Sequence, residues 1–266
     1  ALVLIAAAAS IPFWSVGTLP AMDYPAHLAR LHILTDGLDP SLARYYRIEP
    51  QLLPNLAIDL VVPPLGRLLG VEPAFRIVIT AIMLLPLLGA VLLQSALSGR
   101  IGLGAVAAGA FLFNRTLTLG FYNSAAGSGL ALVALALWIR LAARPRLRLA
   151  VTATLASAVW LCHAFSFLLL GLMIGVLELA DAWHRGERAP GRLACRLAAV
   201  ALAFAPGLVA FAFAFHAPAD AEIDFDILGN LASLLLAAAD DGTGFLPSYL
   251  VLVPVATLAV AAWREK

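Results

Sequence analysis

Apolar residues in this chain run in long blocks, and the polar positions crowd into the gaps between them. Such blocks show neither strand alternation nor the single apolar stripe of a helix lying on a soluble core. A helix needs roughly 20 apolar residues to cross the hydrocarbon of a bilayer. Residues 1–17, 74–97, 101–119, 124–141, 193–215 and 245–263 are blocks of that kind. The stretch 149–183 is too long for one ordinary crossing and slightly short for two, and its midpoint, CHAFS, holds neither Gly nor Pro.

Charge decides the division. With two short spans meeting near His163, Arg100, the run RLAARPRLR, Arg185, Arg188, Arg192, Arg196, Arg264 and Lys266 all share one side. That gathers 11 of the 17 Lys and Arg, which the positive-inside rule makes cytoplasmic. A single helix would instead put RPRLR and HRGER on opposite sides. The expected fold is therefore all-α: a polytopic transmembrane bundle of about eight spans, with the N-terminus inside.

The gaps predict the rest. A long first external loop covers 18–73, and a second external segment covers 216–244. Within the latter, DILGNLASLLLAAAD is too short to span and reads as an interfacial helix. PNLAIDLVVPPLGRLLG reads likewise, with Asn55 as a cap and Pro63 and Pro64 breaking the helix after two turns. The whole of 1–266 forms one transmembrane domain, expected to be the N-terminal module of a longer chain. A signal peptide is the alternative for the first block, but no basic residues precede it.

Composition supports the solvent assignment. The chain is 62% hydrophobic and 12% charged, with a mean hydropathy of +0.95, against about half apolar and a quarter charged in soluble domains. A nucleic-acid partner is excluded by the lack of a basic stripe with interleaved aromatics. Cys162 and Cys195 fall towards opposite membrane faces, so no disulfide is expected.

Candidate chemistry lies at the external boundary. In DYPAHLARLHIL, Asp23, His27 and Arg30 are spaced i, i+4, i+7 and share one helix face, while Leu28, Leu31 and Leu34 form another. The plainer reading makes Asp23 an N-cap and His27 a polar face residue. FNRTLTLGFYNSAAGSG adds Asn114, Arg115, Tyr122 and Asn123 at an external corner, with glycines permitting close backbone approach. Arg115 is a cation near the membrane core, where a charge is costly unless paired or functional; snorkelling to the headgroups is its alternative. His163 is the third candidate, or else a histidine held by a backbone carbonyl. No metal-ligand spacing or phosphate-binding glycine loop is present.

The pattern as a whole resembles the GT-C superfamily of integral membrane glycosyltransferases. These include oligosaccharyltransferases, protein mannosyltransferases and lipid A aminoarabinose transferases. The resemblance rests on the first external loop with its early Asp23, the two interfacial helices, and NRTLTLGFYNS followed by an apolar span ending in WIR. It implies transfer of a sugar from a polyprenyl-phosphate donor on the external face of a bacterial inner membrane. Asp23 would then be general base toward an acceptor hydroxyl, with His27, Arg30, Arg115, Tyr122, Asn123 and His163 binding substrate or phosphate. Where oligosaccharyltransferases carry Asp-x-Asp, this chain has Asn123, Ser124 and Ala125, so a divalent metal cofactor is disfavoured. Expected partners are the lipid-linked donor and membrane lipids. Two other readings remain open: a non-catalytic membrane subunit or degenerate fragment, and a transporter or lipid flippase, which would place charges near the midplane.

Overall fold

The computed structural model describes residues 1–214, and among them every regular element is a helix. In chain order these are α1 (Leu2–Ser15), α2 (Tyr24–Asp36), α3 (Ala57–Leu69), α4 (Val71–Ser98), α5 (Leu103–Ala107), α6 (Arg115–Leu119), α7 (Tyr122–Arg140), α8 (Pro145–Cys162), α9 (Ala164–His184) and α10 (Pro190–Ala214). Four of them, α4, α7, α9 and α10, are long and apolar enough to cross a membrane. The expected spans at 245–263 and the interfacial segment in 216–244 lie outside the described residues.

The centre of the bundle is the crossing of α4 and α7, which approach backbone to backbone. A Cβ on Gly129 would come within 2.9 Å of the Pro86 nitrogen, and one on Gly89 within 2.6 Å of Leu132 Cβ. Small residues at such a crossing replace the hydrophobic drive that lipid cannot supply between helices. Around α7 the other helices alternate in direction. Gly127, near its start, lies against Cys162 and Ser166, the end of α8 and the start of α9. At its far end, Trp138 Nε1 donates to Glu178 of α9 at 2.9 Å and its carbonyl accepts from Arg148 of α8.

The division of 149–183 is as expected: α8 ends at Cys162, His163 is extended (φ −164, ψ 124), and α9 follows. With the helices so placed, the described arginines from Arg100 to Arg196 collect at one end of the bundle, apart from Arg115, and Asp23 lies at the other. Cys162 is buried, Cys195 is exposed, and both are free thiols.

Three local expectations are corrected. The block 101–119 is not one helix but α5, a 3₁₀ turn (Ala108–Phe111) and α6. Gln94 Oε1 accepts from the backbone N–H groups of Gly102 and Ala105, and Asn114 Oδ1 accepts from Leu117 N, so side chains satisfy the groups freed at each break. Second, α3 continues through Pro63 and Pro64 to Leu69. Its face of Ile58, Val62, Pro63 and Gly66 is buried, and this packing outweighs the lost helical bonds. Third, Asn55 does not cap α3; it takes a left-handed conformation (φ 70) ahead of a helix that starts at Ala57.

At the arginine end a buried carboxylate of α9 ties that helix to α7, α8 and α10. Glu178 is 6% exposed and accepts from Trp138 (2.9 Å), Arg148 (2.5 Å) and Arg196 (2.8 Å). The Arg148 guanidinium also lies 3.7 Å from the centre of the Trp138 ring. Replacing Glu178 with Ala should destabilise the purified protein by about 3 kcal/mol, because it leaves two arginines without their common partner. Gly129→Ala should cost about 1–3 kcal/mol by forcing α4 and α7 apart. Both are checked by thermal unfolding in detergent.

Candidate functional site

The site is built where α2 meets the corner between α6 and α7. Met22 N and Asp23 N donate to the carbonyls of Thr118 and Leu119, each at 3.1 Å, so the chain entering α2 pairs with the last residues of α6. The fit needs a glycine at the corner. Gly120 has φ +92, and a Cβ there would lie 2.8 Å from that of Asp23. Asp23 occupies the N-cap position of α2, yet its carboxylate makes no capping bond. Half-buried, it also makes no hydrogen bond or ion pair among the described residues, and the nearby charges and dipoles of His27 and Tyr122 sense its field.

His27 sits one turn further along. Its Nε2 lies 3.1 Å from the Gly120 carbonyl oxygen, which can only accept. The neutral ring therefore carries its proton on Nε2 and leaves Nδ1 as the basic nitrogen. The ring packs on Tyr122 (5.5 Å between centroids) and Phe75 (6.2 Å), and Tyr24 stacks on Phe75 at 5.2 Å. Burial in this aromatic nest pushes the His27 imidazole below its ordinary pKa. The Gly120 carbonyl and the carboxylates of Asp23 and Asp59 act against that shift.

Arg30 extends the same face and pairs with Asp59 of α3. Burial nevertheless pushes the Asp59 carboxyl above its usual range, with Arg30 and His27 opposing. Asp59 was not singled out as a site residue in the sequence; no spacing rule links residues on separate helices joined by a long loop. Behind α2, Arg76 is also an unanticipated member. It donates to the carbonyls of Phe13 (2.8 Å), Val16 (2.9 Å) and Gly17, and pairs with Glu72 at 2.8 Å. One guanidinium thus satisfies the end of α1 and fixes it to α4. The i, i+4 spacing of Glu72 and Arg76 at the start of an apolar block was the available signal.

The other expected residues divide. Tyr122 is buried beside His27. Asn123 is buried with both ends of its amide bonded to backbone: Oδ1 accepts from Ile58 N at 3.1 Å, and Nδ2 donates to the Asn55 carbonyl at 2.8 Å. It ties the loop before α3 to α7 and has little left for a ligand. Arg115 opens α6, half-buried, and its guanidinium makes no hydrogen bond or ion pair among the described residues. His163 stands at the break between α8 and α9, with Nδ1 enclosed and without a hydrogen-bond partner among the described residues. No hydrogen bond or ion pair joins Asp23, Arg115 and His163 to one another.

Next to the α2 corner lies a half-open cleft of about 120 Å³, almost wholly apolar. Its walls include Phe13 and Val16 of α1 and its C-cap, Phe113 and Leu117, with Ala21 and Tyr122 on the side toward Asp23. Among the described residues no group of three or more His, Cys, Asp or Glu is placed to hold a metal ion. The chain matches no family model, no curated protein and no solved structure.

The lowered His27 pKa gives a pH dependence with a definite sign. Below pH 6.5 the unfolded histidine binds a proton before the folded one does, so stability falls as pH falls from 6.5 toward the folded value. Above pH 6.5 this contribution is constant. Unfolding midpoints followed from pH 7.5 to 5 should show that decline, and His27→Asn should lessen it.

Proposed function

We propose that this protein is a membrane glycosyltransferase of the GT-C type. It moves a sugar from a polyprenyl-phosphate donor to an acceptor hydroxyl at the non-cytoplasmic face of a bacterial inner membrane. The proposed topology has eight crossings and a cytoplasmic N-terminus. The observation that carries the reading is the half-buried Asp23 carboxylate, free of any ion pair among the described residues, on a backbone bonded to the end of α6 beside a half-open apolar cleft.

In this reading the isoprenoid tail lies along the cleft and the phosphate faces the α6 corner. Asp23 takes the proton from the acceptor hydroxyl, and the acceptor oxygen forms its bond to the anomeric carbon. The bond from that carbon to the phosphate oxygen breaks, and its electron pair leaves with the lipid phosphate. Arg115, half-buried and without a counter-charge among the described residues, offsets the charge that develops on the leaving group. Arg30, already paired with Asp59, orients the helix face that presents Asp23 and His27. Neutral His27 offers Nδ1 as an acceptor for a sugar hydroxyl. Charges gathered at the two ends of the bundle, with the buried Glu178 compensated by arginines, argue against a midplane transport pathway.

Membrane vesicles containing the full chain, supplied with radiolabelled polyprenyl-phosphate sugars, provide the test. Asp23→Asn should lower transfer by about 10²-fold or more while leaving the amount of folded protein unchanged. Full activity in that variant would refute the role of Asp23. A wild-type chain that transfers none of the sugars would favour the non-catalytic subunit.

A further inference from the structure

The end of the bundle opposite Asp23 carries a large excess of positive charge. The links after α4, α7 and α9 all open there, and nine of the ten arginines from Arg100 to Arg196, all but Arg115, meet only three acids among the described residues, Glu178, Asp181 and Glu187. Three of the arginines are engaged by those acids. Arg148 and Arg196 hold Glu178, Arg196 also reaches Asp181 (3.0 Å) and Glu187 (3.1 Å), and Arg185 holds Asp181 at 3.0 Å. Arg140 donates to a neutral hydroxyl, Ser95 Oγ. Arg144, Arg146 and Arg192 are exposed and have no ion pair among the described residues. Arg188 lies over the exposed ring of Trp183, 4.6 Å from its centre.

The arrangement concentrates this charge. Glu178 takes Arg148 on Oε1 and Arg196 on Oε2, so the first turns of α8 and α10 lie side by side. Both helices start with arginines where the helix dipole favours an anion, and neither has an acid in its first turn. Nothing within the described chain offsets that repulsion once the three acids are saturated. The depth of the surface follows from the helices: α9 ends and α10 begins here, both apolar enough to cross a bilayer, so the arginines stand at the level of the headgroups. Trp183, exposed at the same level, suits the amphipathic boundary where tryptophan concentrates.

We propose that this end of the bundle is a binding surface for anionic phospholipid, with Arg144, Arg146, Arg188 and Arg192 contacting headgroup phosphates. Guanidinium matches a phosphate through paired N–H donors, and every cation of the patch is arginine. A leaflet rich in anionic lipid presents phosphate at high local density beside these side chains, which dilute free phosphate does not. The proposal is independent of the chemistry assigned to Asp23.

The test uses the full chain purified in a neutral detergent, with thermal unfolding followed after addition of phosphatidylglycerol, phosphatidylcholine or inorganic phosphate. Phosphatidylglycerol should raise the midpoint by about 2–4 °C more than phosphatidylcholine, and inorganic phosphate should not reproduce the rise. The difference should shrink sharply between 50 and 500 mM salt, roughly a threefold fall in the screening length. The quadruple variant Arg144→Gln, Arg146→Gln, Arg188→Gln, Arg192→Gln, which leaves the Glu178 cluster untouched, should lose it. If that variant fails to fold, the salt dependence of the wild-type protein decides. Equal effects of both lipids, an equal effect of inorganic phosphate, or persistence of the difference in high salt or in the variant would overturn the proposal. So would loss of a dimer in the variant with no change in lipid response, which would assign the patch to an interface between copies.

Discussion

Backbone contact between α4 and α7 is the constraint on which the rest of this structure depends. Where lipid surrounds both helices, closeness has to come from shape, and Gly89 and Gly129 provide it by omitting side chains at the crossing. With α7 pinned there, its two ends become the two working ends of the bundle. One end carries Tyr122 and Asn123 to the α2 corner. The other carries Trp138 to Glu178.

Polar side chains in the interior mostly serve backbone rather than ligands. Arg76 accounts for three carbonyls at the end of α1, Asn123 for an N–H and a carbonyl near α3, and Gln94 for two N–H groups at the start of α5. Each lies where a helix starts, ends or breaks, and where the freed groups have limited access to water. A polar residue engaged in this way has little capacity for chemistry. That is why Asp23 and Arg115 stand out: both are half-buried, both are charged, and neither has a partner among the described residues.

The all-helical architecture was legible in the sequence because hydrophobic block length reports on the solvent, and four of the described helices are long and apolar enough to cross a membrane. The cut at His163 followed from charge alone, although no turn residue marks it. The helix that carries His27 and Arg30, with Asp23 at its N-cap position, was likewise readable from spacing. What the sequence hid was tertiary in origin. Pro63 and Pro64 carry a strong local signal for a break, yet burial of the α3 face overrides it. The block 101–119 has the composition of a span, and its breaks depend on Gln94 and Asn114 acting as caps. Asn123 looks like a ligand group in the linear chain because its two backbone partners, Ile58 and Asn55, lie more than sixty positions away.

The grip of Arg76 on the end of α1 has a consequence for the cleft beside it. Its guanidinium holds the carbonyls of Phe13, Val16 and Gly17, and Phe13 and Val16 are also walls of that cleft. A single side chain of α4 therefore sets how wide the cleft stands, and loosening it would let the α1 wall drift and change what can lodge there.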